Sequence, residues 1–102
     1  MLPIMVVIFL NKEHNKIETK EAPQLKLPLS VIRAARKKLT LLKAAPDERT
    51  LRNWKGFHYE KLKGKRKGQQ SIKINDQWRM IFTLNNNTNP PTISVIDIED
   101  YH

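Results

Sequence analysis

Gln70-Ser-Ile-Lys-Ile-Asn-Asp-Gln-Trp-Arg-Met-Ile-Phe82 decides the fold. Ile72 and Ile74 alternate with Ser71, Lys73 and Asn75; then Trp78, Met80 and Phe82 alternate with Arg79 and Ile81. A period of two marks strands with one buried face. Between the runs, Asn75 and Asp76 tolerate positive φ, so an antiparallel hairpin is expected. The alternation turns Arg79 away from Trp78 and Met80. Arg79 is therefore placed either to meet a ligand or to pair with Glu99 or Asp97.

Immediately upstream lies Glu60-Lys-Leu-Lys-Gly-Lys-Arg-Lys-Gly68, in which Lys61, Lys63, Lys65, Arg66 and Lys67 crowd into seven residues. Gly64 and Gly68 let this segment bend. Five cations so close together repel one another, and they cannot all find partners within the chain. A polyanion is the natural target. The whole chain repeats the message: 102 residues carry a net charge of +9, with a pI near 10.1. The basic loop, with Lys73 beside it on the hairpin, is read as an RNA-binding edge.

Working outward, Met1-Leu-Pro-Ile-Met-Val-Val-Ile-Phe-Leu10 is apolar, β-branched from Val6 to Ile8, and is expected to hold a buried first strand. No basic residue precedes this run and no small-residue cleavage site follows, which argues against a signal peptide. It is also too short to span a bilayer. Met5 is an alternative start, which would make residues 1–4 an incidental extension. Asn11 is expected to cap a short helix over residues 12–20, and Pro23 and Pro28 mark a connecting loop. Ser30 is expected to cap the main helix, residues 31–45, ended by Pro46. Ile32, Ala35, Leu39 and Leu42 share one face of it. Arg33, Arg36 and Lys37 project from the other side, either as a solvated surface or as a contact for RNA or an acidic partner.

Residues 47–57 read as irregular, with Leu51 and Trp54 laid over the core, and residues 58–62 as a short strand. Asn85 to Pro91 is an exposed turn, and Thr92 to Ile98 a last strand that delivers Glu99-Asp-Tyr-His102. The sum is one α+β domain over residues 1–102: an N-terminal strand, two helices, then three or four antiparallel strands. Cysteine is absent, which removes disulfides, thiolate metal sites and thiol nucleophiles and fits a reducing cytoplasm.

Metal-free RNA cleavage needs a base for the 2′-OH, cations for the phosphorane and an acid for the departing 5′ oxygen. His14, His58 and His102 show no metal-ligand spacing, so neither metal nor cofactor is expected. His102 titrates in the useful range. Tyr101 would become a base if Lys63, Lys65 or Arg79 favoured its phenolate; otherwise it would stack on a nucleobase or plug the core edge. His58 reads as structural.

Leu62-KGKRKGQQSIKINDQWRMI-Phe82, followed by Val95-IDIEDY-His102, resembles the HigB toxins, a branch of the RelE/ParE superfamily of bacterial toxin–antitoxin systems. The helix segment Ala35-RKKLTLLKA-Ala45 fits the same resemblance. It implies a ribosome-dependent endoribonuclease that cuts mRNA in the A site without metal, leaves a 2′,3′-cyclic phosphate and inhibits translation. It also implies a cytoplasmic protein without membrane contact, restrained by a HigA-like helix-turn-helix antitoxin that alone reaches operator DNA. Carried over by position, the site residues are Lys63, Arg79, Asp100, Tyr101 and His102. Where many HigB toxins have His, this chain has Glu60, a poorer proton acceptor at neutral pH. Strand alternation would place His58 on the same face as Glu60, where it would substitute in part. Two other readings stand beside it: a toxin of the same fold, like the ParE branch, that poisons DNA gyrase without cutting RNA, and, from composition alone, a non-catalytic RNA-binding module.

Overall fold

A computed structural model describes residues 5–88 and 90–100, so the expectations for residues 1–4, Tyr101 and His102 lie outside the described residues. Strand β1 (Val6–Phe9) leads through 3-10 turns at Lys12–Glu18 and Ala22–Gln24 into helix α1 (Leu29–Ala44) and the short helix α2 (Glu48–Asn53). Strands β2 (Glu60–Lys61), β3 (Gln70–Lys73), β4 (Trp78–Asn85) and β5 (Thr92–Asp100) follow. One sheet, ordered β1-β5-β4-β3-β2, contains all five strands. The last four pair antiparallel, while β1 lies parallel to β5.

The alternating run folds as a hairpin, with Ser71 opposite Ile81 and Ile72 opposite Met80. The turn differs from expectation. Neither Asn75 nor Asp76 takes a positive φ. Instead the Asn75 side-chain oxygen accepts from the backbone N–H of Gln77 and of Trp78, so a side chain shapes the reversal. A bulge interrupts the β4–β5 ladder: Ile81 faces Asp97, but Phe82 faces Val95. Val95 and Ile98 are three residues apart and would point to opposite faces of a regular strand. The extra residue, Ile96, lets both enter the core.

That core lies between α1 and one face of the sheet. Val31, Ile32, Ala35, Leu39 and Leu42 pack with Ile72, Met80, Phe82, Ile93 and Val95, all 1% exposed or less. Helix α1 begins at Leu29, not after Ser30, because the Pro28 carbonyl accepts from the N–H of Val31 and Ile32. A proline, with no N–H to lose, suits this junction. The helix ends where Pro46 forces Ala45 into extended geometry.

Other differences have local causes. Asp47 accepts from the Thr50 N–H and nucleates α2 in the stretch expected to be irregular. Residues 12–18 form a 3-10 rather than an α-helix, with Asn11 capping it as expected. Strand β1 is not buried: it is a sheet edge, and Val6 and Ile8 are 43% and 45% exposed on its outer side. Leu51 is buried as expected, whereas Trp54 is 36% exposed, with its ring 5.1 Å from that of the buried Phe57.

His14 is buried, and its Nδ1 has no hydrogen-bond partner among the described residues. Burial lowers its pKa from the usual 6.5, with Asp97 and Glu13 opposing the shift. The unfolded chain therefore binds a proton more readily than the folded one, and stability is lost as pH falls below about 6.5. Thermal unfolding at pH 7.5 and 5.5 should show a drop in Tm that is smaller in His14→Gln. An equal drop in both proteins would contradict this.

Candidate active site

The hairpin and β2 build the site. Glu60 on β2 stands opposite Ser71 on β3, and Arg79 on β4 stands between Lys73 and Glu99. Alternation turns Ser71 and Arg79 away from Ile72 and Met80, which enter the core. Arg79 is only 8% exposed, an unusual place for a guanidinium unless acceptors surround it. They do. Its Nε donates to the Ser71 hydroxyl at 2.9 Å, and an Nη donates to the His58 main-chain carbonyl at 2.5 Å. That Nη also lies 3.9 Å from the Glu60 carboxylate, which is half exposed.

His58 carries the turn that makes this possible. With φ 45° and ψ 50° it is left-handed, and among the described residues no other non-glycine residue has positive φ. Strand alternation therefore breaks at residue 58, and β2 begins only at Glu60, so the expected strand over residues 58–62 shrinks to two residues. The alternation argument for placing the His58 side chain beside Glu60 falls with it. What His58 brings to Arg79 is its carbonyl.

The basic loop follows β2 directly. The loop is a 3-10 turn, Gly64–Arg66, with Gly64 and Gly68 at positive φ. It borders a cleft of about 420 Å³ lined by Lys61, Lys63, Lys67 and Gln70. Arg66 pairs with Glu99 at 2.9 Å, so the carboxylate expected for Arg79 is engaged by the loop instead. Lys61 reaches Glu48 at 3.9 Å, and Lys73 pairs with Asp76 at 2.9 Å. Lys63, Lys65 and Lys67 are exposed and have no ion-pair partner among the described residues. Asp100, at the end of β5, accepts from the Gln77 side-chain amide at 2.8 Å.

The helix cations fall elsewhere. Arg33 and Lys37 are exposed on α1. Arg36 holds the carbonyls of Ile17 and Thr19, at 2.6 and 2.8 Å, and so ties the first 3-10 turn to the helix. Sequence reasoning missed Ser71. A polar residue facing the same side of the hairpin as Arg79 was the available signal.

The family model for the RelE-like toxin HigB of type II toxin–antitoxin systems matches residues 9–97. The chain belongs to the HigB-like toxin family. That family is RelE-like and is one of type II toxin–antitoxin systems. Toxin HigB-1 of Vibrio cholerae is 43% identical over 56 residues, 55% of this chain and 59% of that protein, so the match spans about three-fifths of the curated relative. Solved structures share the fold at low identity. A YoeB/ParE toxin from Agrobacterium tumefaciens superposes with a TM-score of 0.59 at 16% identity, covering 96% of this chain and all of that one. The YoeB–YefM complex of Staphylococcus aureus gives 0.54 at 18%, with 96% and 97% covered. YafQ from Escherichia coli gives 0.55 at 10%, with 93% and 91% covered. The RelE/ParE-like α+β fold expected from the sequence is the one observed, with the first strand added in parallel to the last.

Proposed function

We propose that this HigB-like toxin is a ribosome-dependent mRNA endonuclease acting at the A site. The observation that carries the reading is Arg79: a nearly buried guanidinium that donates to the Ser71 hydroxyl and the His58 carbonyl, lies 3.9 Å from Glu60, and faces Glu99 across the β4–β5 ladder, where Arg66 of the basic loop is paired. A fixed cation in a poorly hydrated place is well suited to charge that develops only in a transition state. In the proposed reaction the 2′-OH loses its proton to a base and attacks the adjacent phosphorus. The P–O5′ bond breaks, the 5′ oxygen takes a proton, and a 2′,3′-cyclic phosphate remains. Arg79 stabilises the pentavalent phosphate, and Glu60, Tyr101 and His102 share the proton transfers, with Asp100 a further site residue. Lys63 and its neighbours hold the RNA backbone.

By analogy with YoeB, which was solved in complex with YefM, the chain is proposed to be restrained by an antitoxin, of the HigA-like helix-turn-helix kind. Among the described residues no helix is long and apolar enough to cross a membrane.

The lysines and the arginine should separate experimentally. Replacing Lys63, Lys65 and Lys67 together by Ala removes three phosphate contacts. The slope of log affinity for ribosomes against log salt should then become shallower by roughly 2 to 3, while cleavage at saturating toxin persists. Ribosome co-sedimentation across a salt series measures this. An unchanged slope would remove the loop from the binding surface. A wild-type toxin that neither binds nor cuts would favour the gyrase-directed reading.

A further inference from the structure

We infer that Ser71 and the main chain at His58 are positioning groups for Arg79, fixing the plane of its guanidinium before RNA arrives. Two contacts, one to Nε from strand β3 and one to Nη from the turn before β2, define the orientation of a planar group in a way that a single ion pair does not. Both acceptors are themselves held. Ser71 is fully buried in β3, with Ile72 beside it in the core. The His58 carbonyl is pinned from each side: Phe57 is buried, the His58 N–H donates to the Lys55 carbonyl at 3.2 Å, and the Tyr59 hydroxyl donates to Glu48 at 2.5 Å. Left-handed geometry at a non-glycine residue is disfavoured and persists only where its surroundings impose it. Here the outcome is a carbonyl turned onto Arg79. Glu60, half exposed and 3.9 Å away, is too loosely placed to set the orientation alone.

The kinetic consequence rests on the nuclease reading; the geometric one does not. Ser71→Ala removes the acceptor at Nε and keeps the small buried volume. At saturating toxin, cleavage of ribosome-bound mRNA should fall roughly 10- to 100-fold, with ribosome affinity within about twofold of wild type. Ser71→Thr, which retains the hydroxyl and suits a strand, should recover most of the rate. Adding Ser71→Ala to Arg79→Ala should cost no further activity, because both act through one guanidinium; a merely structural role for Ser71 would multiply the losses. In parallel, NMR should show the Arg79 Nε–H exchanging with water at least about tenfold faster in Ser71→Ala. Wild-type cleavage by Ser71→Ala, multiplied losses in the double variant, or unchanged Nε–H exchange would each overturn the inference. If the wild type cuts no RNA, the nuclease reading fails, and the exchange comparison still decides the positioning.

Discussion

Replacing Arg79 by Ala should lower the single-turnover rate of mRNA cleavage by roughly 10²- to 10³-fold while leaving ribosome affinity nearly unchanged. The split follows from where the side chain sits. At 8% exposure, and already bound to Ser71 and His58, Arg79 offers little to a diffusing polyanion, whereas the exposed Lys63, Lys65 and Lys67 offer much. Binding and catalysis are thus assigned to different cations within one basic edge. Arg79→Lys should recover little, since an ammonium cannot make both contacts in one plane. Stopped single-turnover assays with saturating toxin, beside a ribosome-binding titration, measure the two quantities separately. Loss of binding in parallel with cleavage would contradict the role assigned to Arg79, and so would a wild-type rate.

The largest effect on folding should come from Phe82→Ala, which is expected to destabilise the domain by about 3–5 kcal/mol. Phe82 is fully buried, sits beside the β4–β5 bulge and meets the Tyr59 ring at 6.3 Å between centroids. Truncating it would empty the centre of the sheet where β3, β4 and β5 share the core with α1. The bulge fixes the register there and limits collapse into the space. Against a typical domain stability of about 5–15 kcal/mol, such a loss leaves a substantial unfolded fraction at 37 °C. Urea unfolding gives the number. A change below about 1 kcal/mol would mean that the core closes over the gap.

Much of this was legible in the residues. The alternation of Ile72, Ile74, Trp78, Met80 and Phe82 gave the hairpin, and the spacing of Ile32, Ala35, Leu39 and Leu42 gave the buried face of α1. Periodicity reports which face is buried. It does not report what a neighbouring strand supplies. For that reason β1, which reads as wholly buried, turned out to be an exposed edge: its composition is apolar on both sides, and only the pairing with β5 shows that nothing described flanks the other side. Helix α2 was missed because its start depends on one Asp47 side chain rather than on a repeating pattern.

At the site, alternation turned Arg79 away from Trp78 and Met80, the resemblance to HigB toxins made it a site residue, and charge density pointed to the loop lysines. The acceptors that orient Arg79 were not. One is a main-chain carbonyl, which no residue type announces, and it points inward only because His58 adopts a left-handed conformation. The other, Ser71, is chemically ordinary until the register of the hairpin sets it diagonally across from Arg79. The pairing of Arg66 with Glu99 was likewise invisible, since it joins residues 33 positions apart.

The most direct test of the central claim is primer extension on a defined mRNA, with purified ribosomes, comparing wild type and Arg79→Ala in the presence and absence of ribosomes. The account predicts cuts confined to the A-site codon, present only with ribosomes and lost in Arg79→Ala. Cuts that persist without ribosomes or survive the Arg79 substitution would contradict it, as would tight ribosome binding without any cut.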